Sequence, residues 1–198
     1  MATRSADAAF ENYPLTIDTQ GVKIRLRRIS QDDRDAILAF GRSLPAHDLM
    51  YLRRDISKEA GIDRWLAGVK EGRIHTILAE DEEVIVGYST IYQNELEWSQ
   101  HVGEIRVTLA EGVRGTGLGR LMVREAFNIA LALKIEKVLA RMTLDQTGAR
   151  HVFQELGFQN EALLKDVVKD REGKSHDLLI MAVDVESFVA QREAYGRA

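Results

Sequence analysis

Three glycines at alternate positions stand between a predicted strand, His101–Leu109, and a predicted helix that starts at Arg120. They belong to residues 114–119, which read Arg-Gly-Thr-Gly-Leu-Gly. Because glycine has no Cβ atom, this loop can curl, take positive φ values and let a ligand contact its main chain. The loop leads into a helix, so its free N–H groups point outward at the positive end of the helix dipole. The sequence therefore predicts a phosphate or pyrophosphate site at this strand-to-helix turn.

Three interpretations of the glycine loop follow from the residues alone. A dinucleotide fold has Gly-x-Gly-x-x-Gly in its first strand-to-helix turn and an acid that ends the next strand. Here the spacing is Gly-x-Gly-x-Gly, four predicted strands precede it, and Glu136 comes before the next strand. A nucleoside triphosphate loop ends in Gly-Lys-Ser/Thr, whereas this loop continues Gly119-Arg120-Leu121. A plain turn without a ligand is the third interpretation, although three glycines lose extra entropy on folding.

The composition bounds the possible function classes. The chain has 198 residues, which suits one domain, and its net charge of −4 argues against nucleic acid as the main partner. It has no cysteine, which excludes disulfides, cysteine metal sites and an acyl-cysteine intermediate. No apolar run reaches the ~18 residues of a membrane span, and Met1–Asp7 lacks the apolar core of a signal peptide. We therefore expect a cytoplasmic protein with no membrane partner and no metal.

The pattern of apolar residues predicts an α+β fold. Strands are expected at 22–27, 75–79, 84–93, 101–109, 137–144, 158–169 and 176–185, and helices at 30–44, 57–70, 120–133, 149–156 and 185–195. Hairpins and crossovers alternate in this order, which indicates a mixed central sheet of about seven strands with helices on both faces. The domain is expected to span 21–185, after an extended or partly ordered lead-in at 1–20 and before a C-terminal helix and tail at 186–198.

Several motifs in this order resemble the GNAT family of N-acetyltransferases. Residues 114–119 match the family motif Arg/Gln-x-x-Gly-x-Gly/Ala, and Glu104–Leu109 is similar to the central strand before that motif. Residues 146–158 resemble the family element Asn-x-x-Ala-x-x-x-Tyr-x-x-x-Gly-Phe, with Leu156-Gly157-Phe158 at its end. The hairpin with Val86-Gly87-Tyr88 also fits, and the resemblance covers about residues 22–185.

The resemblance implies that acetyl-CoA is the cosubstrate and binds where the central strand separates from its neighbour. By position, the backbone of Val107, Thr108 and Leu109 is expected to hydrogen-bond the pantetheine arm. The pyrophosphate is expected on the N–H groups of Arg114, Gly115, Thr116, Gly117, Leu118, Gly119 and Arg120. Gln146, Ala149 and Phe153 fall where family members contact the rest of the cofactor.

The implied reaction is acetyl transfer to a primary amine, by direct attack in a ternary complex. A lysine-like amine has a reference pKa near 10.4, so only about one molecule in 10³ is neutral at pH 7. A general base therefore helps. Glu104 is the first candidate because it stands at the start of the central strand. His75, His101 and Glu97 are the alternatives.

Two residues depart from the family pattern. Phe153 stands where the family has the tyrosine that protonates the leaving thiolate, and Gln146 replaces the usual asparagine. Because a thiolate is a good leaving group, water could act as the acid, or Tyr88 or Tyr92 could supply the missing hydroxyl. The alternative function is a non-catalytic acyl-CoA sensor, which Phe153 favours.

The acceptor is expected beside the segment Leu44–Arg54. Arg53 and Arg54 in that segment suggest an acceptor that carries a carboxylate, and a protein lysine is also possible. The last two strands and the terminal helix could pair two subunits into a homodimer.

Overall fold

The computed structural model describes residues 9–50, 52–94, 96–170 and 172–194. The strands are β1 Leu15–Thr19, β2 Val22–Arg28, β3 Ile74–Asp81, β4 Val84–Gln93, β5 Val102–Leu109, β6 Lys137–Thr143, β7 Gln159–Lys169 and β8 Ser175–Asp184. The helices are α1 Arg34–Ser43, α2 Ala46–Met50, α3 Glu59–Lys70, α4 Leu118–Ala132, α5 Thr147–Glu155 and α6 Val185–Ala194. Parts of the predicted lead-in (1–8) and C-terminal tail (195–198) lie outside the described residues.

One mixed sheet organises the fold, in the order β1-β2-β3-β4-β5-β6-β8-β7. Strands β5 and β6 pair in parallel, and the other neighbours pair antiparallel. The predicted α+β class with a mixed sheet is confirmed. Strand β1 makes the count eight: it lies in the segment expected to be an extended lead-in, where Leu15 pairs with Leu26 and Ile17 with Ile24.

Helices cover both faces of the sheet because successive strand residues point to opposite sides. On β3, Ile77 belongs to the core cluster that contains Met122 of α4. Its neighbour Leu78 belongs to the cluster on the other face, with Ile37 of α1 and Trp65 of α3. Trp65 is almost fully buried, so truncating it to alanine would cost about 3–5 kcal/mol. Among the described residues, no helix is long and apolar enough to cross a bilayer.

The helix starts differ in detail from the sequence prediction. Ser30 caps a short 3₁₀ turn that runs into α1, and its side chain accepts from the N–H of Asp32. The helix predicted from Ser57 begins instead at Glu59, because the Ser57 hydroxyl donates to Asp55 and does not cap the helix.

A buried ion-pair network ties β2 and β3 to the start of α1. The Arg27 guanidinium donates to both oxygens of Asp33, at 2.7 and 2.8 Å, and to Glu80 at 2.8 Å. The acidic run Glu80–Glu83 is expected from the sequence to form a solvated turn, but Glu80 is only 5% exposed, so that prediction is wrong for Glu80. The turn lies two residues further on, after the end of β3, where Glu82 and Glu83 take positive φ values of 47° and 70°.

Candidate active site

A gap opens in the sheet between the two parallel strands. Their register ends at Ile105 opposite Ala140, while the rest of β5 continues to pair with β4 as far as Leu109. Strand β6 meanwhile stays paired with β8 up to Thr143. One edge of β5 therefore turns free main-chain groups toward the gap, and an extended ligand could pair with it as an added strand. Val107, Thr108 and Leu109 all lie on this wall.

The glycine loop forms the upper end of the gap, and helix α4 begins at Leu118, directly after Gly117. Gly115 and Gly117 take φ values of 78° and 88°, a region that favours glycine. A Cβ atom built on either one would meet no atom of the described residues within 4 Å. At Gly119 a Cβ would only touch Leu109, at 3.5 Å. The loop thus presents open main chain, and the first-turn N–H groups of α4 have no acceptor inside the helix. This cradle fits a pyrophosphate.

The two arginines of the loop are bound by the protein itself. The Arg114 guanidinium donates to the Leu109 carbonyl, at 2.9 and 3.2 Å, and forms an ion pair with Asp48 of α2. Arg120 forms an ion pair with Glu155 of α5. Arg114 and Arg120 therefore place positive charge beside the predicted phosphate site, but the guanidinium of each already has a carboxylate partner.

The far wall of the gap carries the remaining predicted contacts. The Gln146 side chain does not reach into the gap as a free amide, because its Oε1 accepts from the N–H of Thr143 at 3.2 Å. Ala149 is exposed on the first turn of α5. Phe153 is 7% exposed and packs edge-on against Phe158, with ring centroids 4.8 Å apart. Its ring therefore serves the core, and it brings no hydroxyl to the gap.

A pocket of about 770 Å³ adjoins the gap on the sheet face that carries α1 and α3. It is lined by the end of β4, the start of β5, the middle of β6 and residues from the segment between α2 and α3. Its charged lining is mostly basic, comprising Arg53, Arg54, Arg64, Arg73 and Arg141 against Asp55 and Glu104. Such a pocket attracts an anionic ligand.

Glu104 lies at the centre of this basic lining. It is 7% exposed and points to the pocket side, as even-numbered residues of β5 do. Its carboxylate oxygens lie 3.4 Å from Arg106 Nε, 3.6 Å from Arg141 Nε and 3.9 Å from Arg53 Nη1. A carboxylate so placed can accept a hydrogen bond from an ammonium group that enters the pocket.

Two arginines stack on one tyrosine at the pocket wall. The guanidinium carbons of Arg53 and Arg54 lie 4.8 and 6.0 Å from the centre of the Tyr92 ring. Arg54 Nη1 is buried and has no hydrogen-bond partner among the described residues. A buried N–H without an acceptor is costly, and more so when it is charged, so an anionic ligand oxygen would satisfy it.

The other candidate acids and bases are placed less favourably. Burial raises the pKa of Tyr88 and of Tyr92, but only Tyr92 lines the pocket. His75 is buried on the opposite face of the sheet, beside Phe10. His101 and Glu97 are exposed, in the connection between β4 and β5. Of the four candidate bases, Glu104 is the one that lines the pocket.

Sequence reasoning missed three of the pocket arginines. Arg64 is on α3, Arg73 precedes β3 and Arg141 is on β6, so they are far apart in the chain. One sequence signal could have found Arg141. Val138 and Ala140 are apolar and pack on the α4 side, so the alternation along β6 places Arg141 on the opposite side of the sheet.

Comparisons with known proteins identify the family to which the chain is similar. A family model described as "Acetyltransferase (GNAT) family" matches residues 41–158. "Putative phosphinothricin acetyltransferase YwnH" of Bacillus subtilis (strain 168) is 24% identical over 160 residues, which cover 79% of this chain and 96% of that protein.

Two similar solved structures contain ligands. YncA of Salmonella typhimurium, with acetyl-CoA, aligns with a TM-score of 0.68 at 19% identity, over 82% of this chain and 94% of that one. Spermidine N-acetyltransferase from Vibrio cholerae, with CoA and spermine, aligns with a TM-score of 0.71 at 16% identity, over 84% and 98% of the two chains. At these identities the likeness concerns the fold.

Proposed function

Since this chain belongs to the GNAT family of acetyltransferases, whose reaction is acetyl-CoA-dependent acyl transfer, we propose that it acetylates a primary amine that also carries an anionic group. The observation that carries the proposal is the pocket beside the gap, which five arginines line together with Glu104. The family accounts for the donor, and the pocket charge points to the acceptor.

Acetyl-CoA supplies a thioester whose carbonyl carbon an amine can attack. The open main chain of Gly115, Thr116 and Gly117 and the start of α4 are proposed to hold its pyrophosphate, with Leu118, Gly119 and Arg120 in the first turn. The free edge of β5 at Val107–Leu109 is proposed to hold its pantetheine arm. Arg114, Gln146, Ala149 and Phe153 flank this path.

The proposed acceptor is a zwitterion with at least one extra negative charge. Its anionic group would lie between Arg53 and Arg54, where it satisfies the buried Nη1 of Arg54, and its amine would face Glu104. The bacterial relative YwnH is named for phosphinothricin, an amino acid with a second anionic group, which supports this class. Five arginines disfavour a polyamine such as spermine, because they repel its positive charges.

The proton movements are assigned to two side chains. Glu104 is proposed to take a proton from the acceptor ammonium, so that the neutral amine can attack. Because Phe153 has no hydroxyl, the proton for the leaving thiolate is assigned to Tyr92, whose pKa is raised by burial. A raised pKa keeps the phenol protonated and able to donate. A carboxylate and a phenol in the same pocket also favour catalysis over a sensor role.

A homodimer is proposed through the β7 edge of the sheet. Three apolar side chains of β7 are 41–55% exposed, namely Leu163, Leu164 and Val167. A second copy that covered this edge would remove these side chains from water and pair the free edge.

Acetyl-CoA binding and turnover test the proposal separately. We expect a rise in melting temperature with acetyl-CoA, and not with NADH or ATP, that Gly117→Glu abolishes. At a ligand concentration a hundredfold above Kd, the native state gains about 2.7 kcal/mol. Gly21→Glu, at a positive-φ glycine in the β1–β2 turn, is the matched control.

Turnover is then followed as thiol release with three acceptors: glutamate, spermidine and a lysine peptide. We expect the largest kcat/KM with glutamate, and a loss of about 10²-fold or more in kcat for Glu104→Gln. A preference for spermidine or for the peptide would contradict the anionic acceptor. Binding without turnover of any amine would favour the sensor.

A further inference from the structure

Helix α2 bridges the gap between the two parallel strands. Its neighbouring residues His47 and Asp48 reach opposite walls. His47 Nε2 lies 3.1 Å from Asp145 Oδ2, just beyond β6, and Asp48 forms an ion pair with Arg114 of the glycine loop, beyond β5. Both walls of the gap are thereby tied to one short helix.

Each tie is anchored a second time to the strand end that it reaches. The carboxylate of Asp145 also accepts a hydrogen bond from the Thr143 hydroxyl, at the end of β6. The guanidinium of Arg114 also donates to the Leu109 carbonyl, at the end of β5. A shift of α2 would therefore break its contacts with Asp145 and Arg114, the two residues that are bonded to the last residues of β6 and β5.

The same helix leads directly into the acceptor pocket. Leu49 is buried in the core under α1 and α3, and its carbonyl accepts from the N–H of Leu52 at 3.3 Å. Arg53 follows at once, stacked on Tyr92 and 3.9 Å from Glu104. Because Leu49 is buried and Arg53 lies only four residues further along the chain, we expect the position of α2 to constrain the position of Arg53.

We propose that His47 and Asp48 are positioning residues, which hold α2 across the gap and so fix Arg53 in the acceptor pocket. The inference rests on the proposed function. It assigns two opposite effects to Asp48. The carboxylate keeps the acceptor pocket formed, and it also neutralises Arg114 beside the glycine loop, where it opposes the binding of an anionic pyrophosphate.

The opposite effects give Asp48→Asn a signature that a simple loss of stability does not share. We expect the acceptor KM to rise about five-fold or more, because the ion pair between α2 and the glycine loop is lost. The Kd of acetyl-CoA, measured by calorimetry without acceptor, is expected to stay the same or to fall, because Arg114 is released. His47→Gln is expected to raise the acceptor KM with no change in the acetyl-CoA Kd. Asp48→Glu, which keeps the charge, is expected to restore the acceptor KM.

Glu111→Gln is the matched control. Glu111 is an exposed acid three residues before Arg114 and also lies near the glycine loop. Its removal changes the local charge without touching α2, so the acceptor KM is expected to be unchanged. An acceptor KM within about two-fold of wild type in Asp48→Asn would overturn the inference. So would a parallel weakening of acetyl-CoA and acceptor binding together with a lower melting temperature. If the wild type itself bound no acetyl-CoA, the proposed function would fail first.

Discussion

His75 is expected to make the stability of the protein depend on pH without affecting catalysis. The imidazole is 3% exposed, stacked near Phe10, and its Nε2 has no hydrogen-bond partner among the described residues. Burial, together with the positive charge of Arg28, lowers its pKa to about 4, although a hydrogen bond with the Gly72 backbone opposes the shift. The neutral ring is thus the form that the fold accommodates.

The sign and size of the effect follow from the two pKa values. The unfolded chain binds the proton with a pKa near 6.5, so between pH 6.5 and 4 the unfolded state holds more protons than the folded state. The stabilisation from His75 is fully present above pH 6.5 and is lost as the pH falls toward 4. The shift corresponds to about 3.4 kcal/mol in total, of which about 2 kcal/mol is lost between pH 7.5 and pH 5.

Urea unfolding of wild type and His75→Gln at pH 7.5 and pH 5 measures this loss. Glutamine can still bond the Gly72 backbone but does not titrate. We expect the free energy of unfolding to fall between the two pH values by about 2 kcal/mol more in wild type than in the variant. His101→Gln, at an exposed histidine, is expected to behave like wild type. Equal falls in wild type and His75→Gln would refute the reasoning, and a changed pH profile of kcat/KM in His75→Gln would return His75 to the candidate bases.

Three further predictions test other parts of the molecule. Arg27→Met leaves the buried carboxylate of Asp33 without its cation and leaves Glu80 with the more distant Arg25, at 3.7 Å, so we expect a loss of about 3 kcal/mol in unfolding free energy, measured by urea denaturation at pH 7.5. Tyr92→Phe is expected to lower kcat about tenfold or more, whereas Phe153→Tyr changes it less than about twofold, and the reverse order would move the acid to the α5 position. Leu163→Lys is expected to reduce the molar mass in light scattering from dimer to monomer, and an unchanged mass would place the contact elsewhere.

The backbone conformation of the glycine loop, which is proposed to hold the donor, was largely predictable from the sequence because it requires glycine at particular positions. Positive φ at Gly115 and Gly117 requires glycine, and the Leu156-Gly157-Phe158 end of α5 requires a glycine for its positive φ of 89°. Such requirements leave residue types at fixed spacings. No residue pattern predicts the point at which β5 separates from β6, because that point depends on where the pairing of the two strands ends.

The acceptor side was only partly predictable because side chains from distant segments form it. Arg53 and Arg54 are adjacent in the chain and predicted an anionic acceptor. Arg141 lies on a different strand and reaches the pocket only because β6 pairs with β5. The ion-pair partners of Arg114 and of Glu80 were also not predictable from the sequence, because each ion pair joins residues that are far apart in the chain. Local patterns carry no information about such pairs.

The charge of the pocket and the burial of Glu104 depend on each other. The gap proposed to hold acetyl-CoA is lined largely by main chain, whereas the pocket is lined by side chains. The pocket charge depends on side chains that the core does not need, since Arg64 and Arg141 are exposed. Glu104 is different, because it is buried and contacts three arginines at once. Removing those arginines would leave its charge buried and less compensated, so the basic pocket and the proposed base support each other. The proposed acceptor class and the proposed base are therefore coupled, and we expect that a change to a cationic acceptor would require a new environment for Glu104.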